Sequence, residues 1–156
     1  MILNRQREVR VTLASLGRFL GRVKSAIGGR RRGADISVCL VSEAEIKRLN
    51  RVFRGKPRPT DVLSFPAAAQ HAPSGNGRAR LRRAEARARS AYLGDIAISP
   101  ATARRNAADN GRTLEQELRA LILHGVLHLM GYDHETDSGE MEKLERRLRR
   151  RLRVRS

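Results

Sequence analysis

The sequence predicts one α+β or α/β domain, with a few strands mixed among helices around a single core. Three observations lead there. The chain has 156 residues, 40% of them hydrophobic, which suits one buried core and not a disordered chain. Short segments that alternate apolar and polar residues are interleaved with longer ones whose apolar residues recur at spacings of three and four. No internal repeat is present, so the chain is not a solenoid.

Ile2-Leu3-Asn4 is a short first strand. Val9 to Ile27 is an amphipathic helix, with Val9, Leu13, Leu16, Leu20 and Val23 on one side and arginines on the other. Gly28-Gly29 stops it, and Arg30-Arg31-Arg32-Gly33 forms a basic loop. From Asp35 to Val41, Ile36, Val38 and Leu40 alternate with Asp35, Ser37 and Cys39, a strand pattern. Ser42 then caps a helix, with Glu45 placed for a capping box and Ile46, Leu49 and Val52 as its apolar stripe. That helix ends near Arg54-Gly55. Pro57 and Pro59 keep the following residues extended or turned. Asp61 to Phe65 is the next strand, closed by Pro66.

Residues 67–90 lose the pattern. Pro73, Gly75, Asn76 and Gly77 precede a run of arginine and alanine, which reads as a long exposed basic excursion between two strands, partly helical in its second half. Tyr92 to Ile98 resumes the sheet. Ser99-Pro100 is an N-cap followed by proline at the first helical position, opening a short helix to about Asn110-Gly111. Thr113 and Gln116 fit a capping box for a helix whose Leu114, Leu118, Leu121, Ile122, Val126 and Leu129 make a broad, largely buried face, ended by Gly131. A last helix runs from about Ser138 to Leu152, with Met141, Leu144, Leu148 and Leu152 as a stripe. Arg146 to Arg155 is its charged face and tail. Residues 1–156 are thus read as one domain with a basic excursion at 67–90 and an arginine-rich tail.

Composition narrows the function classes. No stretch approaches the ~20 apolar residues that span a bilayer, and the first residues carry no apolar leader, so a cytoplasmic location and no membrane partner are expected. Cys39 is the single cysteine, which excludes an internal disulfide and a cysteine-rich metal site. The net charge of +17 points to a polyanionic partner, above all nucleic acid. Only Lys24, Lys47, Lys56 and Lys143 are lysines, so arginine carries the charge, and a GC-rich genome is the competing explanation. Aromatic residues, at 3%, are too few for an extended base-stacking platform.

The chemistry concentrates in His124-Gly-Val-Leu-His128-Leu-Met-Gly131-Tyr-Asp-His134, which holds three of the four histidines. His124 and His128 lie one helical turn apart on one face, where two imidazoles reach one ion. Gly131 supplies a left-handed position, and the chain turns back to deliver His134 as a third ligand. Three protein ligands with a fourth position open describe a catalytic zinc site at the end of a central helix. One Zn²⁺ ion is therefore the expected cofactor, although three imidazoles also suit nickel, copper or cobalt. His71, in the excursion, is incidental.

The spacing matches the three-histidine metzincin pattern, including its glycine three residues after the second histidine. The glutamate base that follows the first histidine in those peptidases is replaced here by Gly125. Met141 reads as core packing and not as a Met-turn. A peptidase is the weaker hydrolase reading, and a phosphodiester substrate the better one.

The same segment resembles the signature of the YbeY family of bacterial ribosomal RNA maturation factors. Phe53-Arg-Gly-Lys56 with Pro59-Thr-Asp-Val-Leu-Ser-Phe-Pro66 resembles the family's second motif, and Leu93-Gly-Asp-Ile96 its third. The resemblance runs from about Asp35 to Leu148. It implies an α/β domain with a small, mostly parallel sheet and a metal cleft beside a basic groove. It also implies a metal-dependent, single-strand-specific endoribonuclease acting in 3′-end maturation of small-subunit (16S) ribosomal RNA and in ribosome quality control. Its partners would be ribosomal RNA, the small subunit and ribosome-associated proteins, with no DNA. On the resemblance, His124, His128 and His134 bind zinc and Arg54 is the functionally important arginine. The 67–90 excursion is longer and more basic than is usual for the family, and the tail ends in arginine-rich sequence.

A guanidinium at Arg54 fits phosphate oxygens in a bidentate fork. Lys56 and Arg58 flank it as candidate substrate contacts. Asp61 and Ser64 are read as orienting their strand and Asp95 as structural. Arg30 to Arg32, Arg78 to Arg89 and Arg146 to Arg155 are further candidate phosphate contacts. Two alternatives stand beside the nuclease: an RNA-binding ribosome assembly factor whose zinc is structural, and a metallopeptidase.

Overall fold

A computed structural model describes residues 1–27, 34–67, 92–132 and 139–154. Its centre is the parallel pair β2 (Asp35–Leu40) and β4 (Tyr92–Ile98), in register from Ile36 against Gly94 to Leu40 against Ile98. β1 (Ile2–Asn4) adds in parallel on the outer side of β2, and β3 (Val62–Pro66) pairs antiparallel with β4. The order is β1-β2-β4-β3, a four-stranded mixed sheet with two parallel pairings and one antiparallel. The expected small, mostly parallel sheet is the one observed.

Five helices among the described residues surround the sheet: α1 (Leu13–Ala26), α2 (Glu43–Arg54), α3 (Pro100–Asp109), α4 (Leu114–Leu129) and α5 (Glu140–Leu152). Ile36, Val38, Leu40, Ile96 and Ile98 face one side and pack with Leu16, Phe19, Leu20 and Val23 of α1, with α4, and with Met141, Leu148 and Leu152 of α5. On the other side Val41, Leu63 and Ala97 meet Ile46 of α2. β4 is therefore covered on both faces. Ile122, Leu123, Val126 and Leu127 of α4 are completely buried, each contributing about 1.5–3 kcal/mol relative to exposure. That burial holds α4 rigidly against the sheet.

Cap chemistry sets the helix starts. The Ser99 hydroxyl accepts from Thr102 N–H ahead of Pro100. Thr113 and Gln116 complete both arms of the capping box on α4. At α2 only one arm forms. Ser42 accepts from Glu45 N–H, but the Glu45 carboxylate is taken by Arg48 at 2.8 and 2.9 Å.

Three further expectations shift. α1 begins at Leu13 and not at Val9, because the buried Gln6 side chain grips both Val9 N–H (2.9 Å) and Val9 C=O (2.8 Å) and holds those residues out of the helix. Val52 does not join the core. It is 59% exposed, since α2 covers only a small cluster, which it meets through Ile46 and Leu49. The strand expected at 61–65 runs from Val62 through Pro66, while Asp61 accepts Val62 N–H just ahead of it. A proline is tolerated there because β3 is an edge strand. Met141 is buried in the core on α5, as read. The Gly28-Gly29 stop, the Arg30–Arg32 loop, most of the excursion, the Arg78–Arg89 run and Arg155 lie outside the described residues.

Gly94 is required by close approach. Its φ is +138°, and a Cβ there would stand 2.2 Å from Phe65 O and 3.0 Å from Leu129 Cδ2. Only glycine lets β3, β4 and the end of α4 meet at that point.

Candidate metal centre and basic edge

α4 delivers His124 and His128 to one spot. The two Nε2 atoms are 3.0 Å apart and the rings meet edge to face at 4.6 Å. Both side chains are half-buried in the C-terminal half of a helix that is otherwise buried there. Gly131 follows in the left-handed region at φ +90°, turning the chain where the turn was expected. Zinc–nitrogen bonds of about 2.0–2.1 Å in tetrahedral geometry place neighbouring nitrogens about 3.3–3.4 Å apart. The observed pair is within a few tenths of an ångström of that, so two converging imidazole nitrogens can share one ion. His134 and His71 lie outside the described residues, and among the described residues no set of three His, Cys, Asp or Glu side chains is arranged to hold a metal.

Behind His124 stands a residue that the motif reading passed over. Glu145 of α5 places Oε2 3.4 Å from His124 Nδ1. Its Oε1 accepts from Arg149 Nε at 3.0 Å and Nη2 at 2.7 Å. Burial alone would raise the Glu145 carboxyl, but the hydrogen bonds from His124 and Arg149 outweigh it and hold the group at about 2. The signal was present in the sequence: Glu145 lies between Met141 and Leu148 on the apolar stripe of an otherwise charged helix.

Gly125, in the position of the metzincin glutamate, faces the sheet and is fully packed. A Cβ there would lie 2.9 Å from Ile96 Cγ2 and 3.2 Å from Ser64 Oγ. The Ser64 hydroxyl donates to Gly125 O at 3.3 Å, tying β3 to α4 beside the histidines. A side chain at position 125 would have to displace Ile96, so the packing disfavours a glutamate there.

Arg54, Lys56 and Arg58 are all exposed around the end of α2. Their turn is braced. Gly55 sits at φ +65°, and the buried Asn50 donates from Nδ2 to Arg58 O at 2.8 Å. Phe53 packs edge to face on Phe65 of β3 at 5.0 Å. The basic turn and the histidines thus belong to different elements that both lean on β3. Asp61 does orient this region, accepting Val62 N–H at 2.8 Å and Asn106 Nδ2 at 3.1 Å. Asp95 accepts from the Tyr92 hydroxyl. Among the described residues no helix is long and apolar enough to cross a membrane.

Comparison with known proteins supplies the family. A family model described as Endoribonuclease YbeY matches residues 1–153. A relative of that name from Koribacter versatilis is 43% identical over 154 residues, covering 99% of this chain and 86% of the relative. One from Solibacter usitatus is 41% identical over 138 residues, covering 88% and 78%. A solution structure of a Thermotoga maritima protein shares the fold with a TM-score of 0.60 and 30% identity, over 97% of this chain and 89% of that one. The chain belongs to the YbeY endoribonuclease family.

Proposed function

We propose that this protein is a zinc-dependent, single-strand-specific endoribonuclease that acts on ribosomal RNA, at the 3′ end of the small-subunit (16S) species. The observation that carries the reading is the convergence of the His124 and His128 Nε2 atoms at 3.0 Å on the half-exposed end of α4. His134, three residues beyond Gly131 in the sequence, would complete the ligand set. A zinc ion held there would supply Lewis acidity for activating a water and polarising a phosphodiester.

The chain's own residues do the rest. The histidines fix where the reaction occurs, because α4 is buried along most of its length against the sheet. Arg54 holds a phosphate oxygen pair with its guanidinium fork and offsets the charge that grows on the phosphodiester in the transition state. Lys56 and Arg58 extend the grip along the strand through phosphates, without choosing sequence. The net charge of +17 draws the polyanion in. Packing at Gly125 removes the reason to prefer a structural role for the metal. Its side chain is missing because Ile96 fills that space, so its absence says nothing about catalysis.

The test uses end-labelled single-stranded RNA with wild-type protein and His128→Ala purified in parallel. Cleavage by the wild type alone, abolished by a chelator and restored by zinc, is the expected result. RNA binding without cleavage by wild type would establish the assembly-factor reading instead.

A further inference from the structure

We propose that Glu145 is the positioning residue of this centre: clamped by Arg149, its carboxylate takes the Nδ1–H of His124 and so turns His124 Nε2 towards His128. The inference rests on the metal reading above.

Burying a carboxylate costs several kcal/mol unless its oxygens are satisfied. α5 nevertheless buries Glu145 among Met141, Leu148 and Leu152. The neighbouring pair of the same kind shows that this is not needed to pair with an arginine. Glu142 and Arg146 make the same i,i+4 contact with side chains 68% and 61% exposed. Glu145 and Arg149 are instead 11% and 22% exposed, turned inward against α4. What the inward position adds is His124. The two oxygens divide the work, Oε1 to Arg149 and Oε2 to His124 Nδ1. At 3.4 Å the second contact is at the long end for an N–H···O bond, and the arginine fork keeps the carboxylate from rotating away. An imidazole that donates from Nδ1 offers a lone pair at Nε2, the atom that faces His128 Nε2 at 3.0 Å. Carboxylates behind metal-binding histidines act in this way, and their loss weakens metal affinity about 10–100-fold.

The test has two readouts, neither of them activity. In metal-free protein, ¹⁵N NMR of the histidine rings reads the His124 tautomer. Wild type is expected to hold Nδ1–H, and Glu145→Ala a mixture. Zinc affinity, by competition with a chromophoric chelator, is expected to fall about 10–100-fold in Glu145→Ala and less in Glu145→Gln, whose amide oxygen still accepts. The isosteric Gln variant stands in should Ala fail to fold. An unchanged His124 tautomer together with unchanged zinc affinity in these variants would overturn the inference. Wild-type protein that binds no zinc would sink the metal reading itself, and the tautomer measurement would still decide the role of Glu145.

Discussion

Gly125 lies so close to Ile96 that a Cβ at position 125 would come within 2.9 Å of Ile96 Cγ2 and 3.0 Å of its Cδ1. Ile96 is fully buried in the middle of β4 and has little freedom to move. Gly125→Ala gains helix propensity of up to about 1 kcal/mol but incurs overpacking of about 1–3 kcal/mol. A net loss of about 1 kcal/mol in urea unfolding is expected. Gly125→Glu, the metzincin-like change, also buries a carboxylate and is expected to lose more than about 4 kcal/mol or not fold. Ile96→Val removes one of the two close atoms. A double-mutant cycle with Gly125→Ala is expected to show a favourable coupling of about 0.5 kcal/mol or more, and strict additivity would refute the contact.

Arg54 is expected to matter for cleavage and not for folding. Its side chain is exposed at the end of α2. Arg54→Ala should lower the cleavage rate of single-stranded RNA about 100-fold while changing stability by less than about 0.5 kcal/mol. Arg54→Lys should recover little, because a point charge does not reproduce the fork. Full recovery by lysine would reduce the role to non-directional charge.

Zinc should stabilise the wild type by mass action. At about 100 times its Kd a ligand adds about 2.7 kcal/mol, which for a chain of this size raises Tm by about 5–10 °C. His128→Ala should lose this shift, and a variant that keeps it would place the metal elsewhere. Differential scanning calorimetry with and without zinc makes the comparison.

Acid should loosen the contact between α1 and α4. A hydrogen bond from the Ser15 hydroxyl holds the Glu115 carboxyl below its ordinary value; burial opposes it, and Arg119 and Arg18 add to the lowering. The folded value is depressed. The stabilisation is therefore fully present above the unfolded value of about 4.3 and fades as pH falls through the lower folded one. Glu115 is half exposed, so the effect belongs to the ~0.2–1 kcal/mol of surface pairs. The stability gap between wild type and Glu115→Gln in urea should close below pH 4. A gap that persists at pH 2 would mean the glutamine variant suffers for another reason.

RNA binding should depend steeply on salt if the charge of +17 reflects function. Contacts to about four or more phosphates give a log–log slope near −3 or steeper for single strands. A flat dependence would favour genome composition as the source of the arginines.

Much of this was legible in the chain before it folded. The period-two run at Asp35–Leu40, the capping box at Thr113 and Gln116, and the histidines at helical spacing are local signals. Their physics is contained within a few neighbouring residues. Where tertiary contacts competed, local signals misled. Val9 fits the α1 stripe, but Gln6 captured its backbone. Val52 fits the α2 stripe, but the small cluster under α2 is filled by Ile46 and Leu49 and leaves Val52 exposed. Glu45 fits a capping box, but Arg48 took its carboxylate.

The sequence by itself determined the elements, the histidine pair, the polycationic character and, through three motifs, the family. Only the tertiary structure decided that Glu145 stands behind His124 and that Gly125 is a packing residue. Both depend on which surfaces of α4 meet β4 and α5. Those contacts join residues far apart in the chain; the stripe on α5 marks Glu145 as inward-facing, but no periodicity or spacing names the partner it meets.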